Sequence, residues 1–250
     1  MIWAIDIGNS RAVSGWMSHL KVLKRHDFKT MDLRKQKDAF RWAKQLKRLG
    51  TAESFIVSSV VPPVDEKVRK AIGVIFRKKT DFVDPTRKNL GIGIRYKRPK
   101  EVGADRIVNS LAAKHLYGAP VIVVDFGTGT TFDVVDCRGA YRGGVIVPGI
   151  GMSLKAMHDQ TAKLPLVKYA KVQKVIGQTT EDAIRSGIYY GTIGEAKEIL
   201  RRIRKELGVK APAVATGGWC HIFKNADLFN HIEPDITLIG MAILARRNHA

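Results

Sequence analysis

The chain has 250 residues, 45% hydrophobic, with 43 Lys and Arg against 23 Asp and Glu, a net charge of +20. That length supports one large domain or two modest ones with real cores, and the apolar runs at 119–124 and 238–245 stop at Asp125 and Arg246, far short of the roughly 20 residues that span a membrane. Asp6 breaks the opening apolar run before a signal-peptide core can form, so a soluble cytoplasmic protein with no membrane partner is expected.

In chain order, alternation and turn residues predict a strand over residues 2–7, with 13–16 and 20–23 pairing to it as a meander. Apolar residues at helical spacing predict a basic helix over 34–49. A buried strand follows at 54–60, ended by Pro62 and Pro63. A helix over 65–76 and a short strand at 80–83 come next. Residues 84–99 carry Gly and Pro with little periodicity and read as a loop. The second half repeats the plan. A helix over 104–117 leads to an apolar strand at 121–125, then strands near 131–136 and 141–146. Helices are expected at 151–159, 180–207 (interrupted near Gly187 and Gly191), 221–223 and 238–247, with a strand at 213–216.

The two halves echo each other at one place. Ile5-Asp6-Ile7-Gly8-Asn9-Ser10 closes the first strand, and Val124-Asp125-Phe126-Gly127-Thr128-Gly129-Thr130 closes its counterpart. Each is an apolar strand, Asp-x-Gly, then small hydroxyl or amide residues. The duplication predicts two related α/β domains, 1–117 and 118–250, with a cleft between them. A carboxylate at a strand end, a glycine that lets backbone approach a ligand, and hydroxyl and amide donors suit phosphate oxygens bridged by a cation. No P-loop and no GxGxxG are found, which excludes those nucleotide folds. Thr216-Gly217-Gly218 follows a strand and reads either as a backbone platform for adenine or ribose or as a plain turn.

Cys137 and Cys220 make neither a disulfide framework nor a zinc pattern. The basic charge raises the prospect of an anionic partner. Lys and Arg are nevertheless spread over several segments that also carry apolar residues at helical spacing. Solvated basic helix faces explain them, and nucleic acid is not expected as a partner.

The ordered motifs resemble the actin, Hsp70 and sugar kinase superfamily, and within it the type III pantothenate kinases. Asp6-Ile7-Gly8-Asn9-Ser10 is similar to that family's DxGNT loop, Ser58-Ser59-Val60-Val61-Pro62 to its SSVVP, and Gly103-Ala104-Asp105-Arg106 to its GADR. Asp125 to Thr131 resembles its DxGTATT loop, and Gly143 to Gly149 its GGxIxPG turn. Ala162-Lys163-Leu164-Pro165, the run Ile176 to Thr180 and Thr216-Gly217-Gly218 follow in family order. The resemblance implies duplicated ribonuclease H-like domains and ATP-dependent phosphorylation of pantothenate, the first step of coenzyme A synthesis. It implies that Asp6, Ile7, Gly8, Asn9, Ser10, Arg11, Ala12, Val13 and Thr128 bind ATP, Asp6 meeting Mg²⁺ through the phosphates. It further implies that Asp105, ionised at an ordinary carboxylate pKa, is the proton acceptor, and that Tyr96, Gly103, Ala104, Asp105, Arg106 and Thr180 bind pantothenate. Asp125 would hold K⁺ or NH₄⁺, and the chain would be a homodimer joined through its second half, with Thr180 reaching pantothenate from the other subunit. Ser10 for Thr, Gly129 for Ala, and Arg98 and Thr179 where Asn is common depart from the pattern. Rival readings are another small-molecule kinase of the superfamily and a non-catalytic regulator.

Overall fold

The structure, a computed structural model, describes residues 1–170 and 172–247. It divides into two compact units. The first comprises Met1–Gly118, Gly139–Tyr141 and the chain from Asp235 onward; the second comprises Ala119–Arg138 and Arg142–Pro234. The last helix therefore belongs with the first unit, whereas a boundary at 117/118 had grouped it with the second half.

The first unit is built on a five-stranded sheet. Its strands are β1 (Ile2–Ile7), β2 (Arg11–Ser18), β3 (Lys21–Lys29), β4 (Ser54–Ser59) and β5 (Thr80–Phe82), in the order β3-β2-β1-β4-β5. β1 runs antiparallel to β2 and parallel to β4. Alternation sorts β1 into two faces. Trp3, Ile5 and Ile7 join one core with Ala39, Trp42 and Leu46 of α1 (Gln36–Leu49) and Val64, Val68 and Ile72 of α2 (Pro62–Phe76). The opposite face, which takes Ala4 and Asp6, is covered by α3 (Ala104–Tyr117) and the last helix (Ile236–Arg247), which also pack on each other.

β3 is longer than its sequence suggested because its exposed charged residues still pair with β2; only the hydrophobic alternation is missing. α2 begins at Pro62, since proline suits the first helical position. The stretch read as a loop holds the short strand β6 (Gly93–Ile94), which pairs in parallel with Ala140 and Tyr141.

The second unit repeats the arrangement. β7 (Val121–Phe126) neighbours β8 (Gly129–Val135), which neighbours β9 (Ala140–Pro148); on its other side lie β10 (Ala213–Thr216) and β11 (His231–Ile232). The order β9-β8-β7-β10-β11 matches β3-β2-β1-β4-β5 strand for strand. β7 is again antiparallel to its successor and parallel to the fourth strand. α4 (Ile150–Asp159) and α5 (Thr180–Leu207) complete the unit. α5 runs unbroken through Gly187, Gly191 and Gly194, contrary to the interruption predicted there. Each glycine costs a helix about 1 kcal/mol, yet the Thr179 cap and the burial of Ile184, Ala196, Leu200 and Ile203 outweigh that. Among the described residues no helix is long and apolar enough to cross a membrane.

Candidate active site

The duplicated strand order places Asp6 and Asp125 at equivalent positions. Asp6 is next to last in β1, paired across to Val13 and, in parallel, to Ser58. Asp125 is next to last in β7, paired to Thr131 and Thr216. The ladders extend past both strand ends alike: the Val60 N–H donates to the Ile7 carbonyl at 3.1 Å, and the Trp219 N–H to the Phe126 carbonyl at 3.2 Å. Ser58 and Thr216 hold the same register against Asp6 and Asp125, so Ser58-Ser59-Val60 corresponds to Thr216-Gly217-Gly218, with one more residue before the closing bond in the second unit.

In the first unit, Gly8, Asn9 and Ser10 form the hairpin loop, with Asn9 and Ser10 exposed. The Gly8 N–H donates to the Arg11 carbonyl at 3.0 Å. Thr30, only 1% exposed, holds this loop from behind. Its hydroxyl donates to the Gly8 carbonyl at 2.6 Å, and its N–H to the Ser10 carbonyl at 3.3 Å. Nothing in the local sequence signals Thr30, which reaches the loop from 20 residues on. Ile7 and Ala12 bury their side chains in the core, so they offer a ligand backbone only. The Arg11 guanidinium pairs with Asp27. Thr30→Val removes one buried hydrogen bond, worth about 1 kcal/mol. If the loop binds nucleotide, the KM for ATP rises about 5-fold with pantothenate KM unchanged, as initial-rate kinetics would show.

The GADR turn lies at the same edge of the same sheet. A Cβ on Gly103 would sit 3.4 Å from Val60 Cγ1 and 2.4 Å from Asp105 Oδ1, so the glycine makes room for the carboxylate. Asp105 Oδ1 accepts from the Arg106 N–H at 2.8 Å in the first turn of α3. Burial raises the Asp105 pKa above the ordinary carboxylate value, against the opposing pull of that N–H and of the Arg106 charge. This corrects the expectation of an ordinary pKa. Arg106 is buried, its guanidinium 5.9 Å from the ring centre of Tyr141, which in turn lies 6.2 Å from the Tyr96 ring. Tyr141, fully buried, links the two predicted pantothenate ligands and was not singled out by the sequence, because only the β6–β9 pairing brings it beside Tyr96. The SSVVP segment is in part a helix start. The Ser59 hydroxyl accepts from the Val61 N–H at 3.1 Å and donates to Asp65 at 2.6 Å.

In the second unit two glycines crowd the second loop. Gly217, at φ +87°, lies so close that a Cβ would come 2.3 Å from Asp125 Oδ1 and 2.6 Å from the Phe126 backbone. A Cβ on Gly149, at the start of α4, would come 2.3 Å from the Thr128 carbonyl oxygen and 2.6 Å from that of Gly127. Backbone thus packs tightly against the Asp125 carboxylate on one side and against the Gly127 and Thr128 carbonyls on another. Together with burial, Asp125 raises the Cys220 thiol to about 11, leaving it protonated. Thr128 is exposed. A cavity of about 720 Å³ is lined by Gly151, Leu154, Tyr169 and Trp219, the last two packed edge to face at 5.5 Å. Thr180 is exposed in the first turn of α5, whose cap is Thr179, its hydroxyl accepting from the Asp182 N–H at 3.1 Å. Among the described residues no three His, Cys, Asp or Glu side chains cluster as a metal site.

Two solved structures share this fold over nearly the whole chain. One, from Campylobacter jejuni and described as a Baf family transcriptional activator, is 19% identical with a TM-score of 0.61, covering 99% of this chain and 98% of that one. Another, from Listeria monocytogenes and described as an N-acetylmannosamine kinase, is 10% identical with a TM-score of 0.54, covering 100% and 99%. The fold is that of the actin, Hsp70 and sugar kinase superfamily, with two ribonuclease H-like halves. The profile of the type III pantothenate kinase family matches residues 2–202, and a type III pantothenate kinase from Brevibacillus brevis is 40% identical over 257 residues, covering 100% of both chains. The chain belongs to the type III pantothenate kinase family.

Proposed function

We propose that this chain transfers the γ-phosphoryl group of ATP to the primary hydroxyl of pantothenate, in the cytoplasm, as the first step of coenzyme A synthesis. The observation that carries the reading is that the GADR turn lies against Val60, whose N–H continues the ladder from Ile7, so the turn and the Gly8–Ser10 loop both follow the C-terminal ends of the neighbouring strands β4 and β1.

Each side chain then has a chemical task. The loop from Asp6 to Ser10 offers phosphate oxygens backbone and hydroxyl donors. A single carboxylate there suits Mg²⁺, which keeps most of its waters and binds through one or two carboxylates and the substrate phosphates. Mg²⁺, when bound, neutralises charge on the transferring group. Asp105 accepts the hydroxyl proton as the oxygen attacks phosphorus, and burial, by raising its pKa, makes it a better proton acceptor than an ordinary carboxylate. Arg106 presents a planar fork to the pantothenate carboxylate, and Tyr96 packs beside it. Arg106→Ala raises the KM for pantothenate about 10- to 100-fold, the worth of a charge-assisted hydrogen bond. A change confined to the ATP KM would count against this role.

Asp125 is read as the holder of a monovalent cation, in a turn that glycines at 149 and 217 let backbone approach closely. Rates therefore fall several-fold when Na⁺ replaces K⁺ or NH₄⁺, and Asp125→Asn removes that preference. The cavity beside Trp219 accepts the nucleotide's base. In this reading the chain is a homodimer in which Thr180, exposed at the head of α5, reaches the other subunit's pantothenate. A panel of small alcohols and sugars offered with ATP tests the substrate: faster phosphorylation of a sugar than of pantothenate refutes the assignment.

A further inference from the structure

The net charge is unevenly divided. The first unit holds 28 Lys and Arg against 12 Asp and Glu, a net +16; the second unit carries only +4. Within the first unit the charge collects on one layer. The segments 34–49 and 62–79, which contain α1 and α2, hold 13 Lys and Arg and 3 acids.

The two helices lie side by side and run the same way. Near their starts Gln36 Nε2 donates to the Lys67 carbonyl at 3.1 Å, and near their ends Lys47 Nζ donates to the Ile75 carbonyl at 3.0 Å. Their apolar residues face the sheet, so their basic residues share one outer surface. The three acids are engaged locally: Asp38 with Arg41 at 2.9 Å, Glu66 with Arg69 at 3.4 Å, and Asp65 with the Ser59 hydroxyl. Lys37, Lys44, Arg48, Lys70, Lys78 and Lys79 are exposed with no acid partner among the described residues. Lys37, Lys44 and Arg48 recur at seven- and four-residue intervals, hence along one stripe of α1. The other helix layer of this unit, α3 and the last helix, is largely buried and offers no comparable surface.

We propose that the outer face of α1 and α2 docks the phosphate backbone of duplex DNA, without reading its sequence. Mutual repulsion among unneutralised cations on one rigid layer is relieved by a polyanion, and two packed helices with axes about 8–10 Å apart present a broad basic surface to a duplex, which carries one negative charge per roughly 1.7 Å of its axis. Single strands are disfavoured, since stacking needs exposed aromatics, whereas Trp42 is 3% exposed and Phe40 and Phe76 pack against the core. Insertion into a lipid surface is disfavoured because Val74 is the one large hydrophobic side chain exposed on α1 or α2. The sequence alone had these charges scattered over several helices; the packing of α1 on α2 is what gathers them.

The test is fluorescence anisotropy of a labelled mixed-sequence duplex of about 20 base pairs, titrated with the full chain at stepped NaCl. With about five phosphates neutralised, log K falls against log salt with a slope near −4.5. The triple variant Lys37→Glu, Lys44→Glu, Lys70→Glu weakens binding at least 10-fold. A control reversal on the second unit, Lys197→Glu, Lys210→Glu, Lys224→Glu, leaves it within about 2-fold, and both variants keep pantothenate kinase turnover. The proposal fails if no saturable binding is seen at 50 mM salt, or if the control loses as much as the platform variant. It fails too if phosphatidylserine vesicles or a single strand bind more tightly than the duplex. None of these outcomes bears on the kinase assignment, which is read by turnover.

Discussion

Asp105→Asn lowers kcat by about 10²–10⁴-fold, the usual contribution of a general base, while the protein stays folded and becomes slightly more stable at neutral pH. The two halves of this expectation share one cause. Burial raises the Asp105 pKa, so the folded chain binds this proton more tightly than the unfolded chain does. The stability gained from that proton is fully present below the unfolded pKa of about 3.9 and is lost as pH rises through the higher folded value. Ionising Asp105 therefore works against the fold. Asn has the same shape, and its Oδ1 can still accept from the Arg106 N–H. Thermal unfolding at pH 7 should rise by up to a few degrees in the variant, and the difference should close on acidification. In wild type, kcat/KM falls as pH drops through the raised value; in Asp105→Asn that acidic limb disappears. Near-normal kcat in the variant would exclude Asp105 as base, and a lowered Tm would show that its charge is compensated.

Gly240→Ala has the largest expected effect on the fold. On an exposed helix the change would gain about 1 kcal/mol. Here a Cβ would lie 2.0 Å from the Val108 carbonyl oxygen and 2.6 Å from its carbon, both backbone atoms of α3. Neither can rotate away, so the helices must separate. Overpacking of this kind costs about 1–3 kcal/mol and sometimes more, and a backbone clash belongs at the upper end. For a chain of this size the Tm falls by roughly 6–12 °C. Gly73→Ala in α2 is the matched control, since nothing lies within 4 Å of its Cβ, and it should hold or raise Tm. Equal Tm values for the two variants would contradict the contact. Because α3 also carries Asp105 and Arg106, any folded Gly240→Ala protein should show raised pantothenate KM as well.

What could be read from the sequence was local. The Asp-x-Gly turns, the GADR helix start and the apolar strands announce themselves over a few residues, and the echo between the halves points to duplication. Contacts set by distant pairing could not be read. Thr30 reaches the Gly8 carbonyl only because β3 returns along β2. Tyr141 meets Arg106 and Tyr96 only through the two-residue β6 pairing. The last helix looks like a continuation of the second half but packs on α3, at a glycine whose role is invisible until Val108 is beside it. The glycines of α5 misled in the other direction, since local propensity gave way to burial along 28 residues. The Asp105 pKa could not be read either, because desolvation depends on what surrounds the turn.

The most direct measurement of the central claim is mass spectrometry of pantothenate incubated with ATP, Mg²⁺ and K⁺ in the presence of the chain, with ADP followed in parallel. The proposed function predicts a phosphorylated pantothenate formed one for one with ADP, and at least about 100-fold less with Asp105→Asn over the same interval. ADP released at the same rate with and without pantothenate, its mass unchanged, would contradict it.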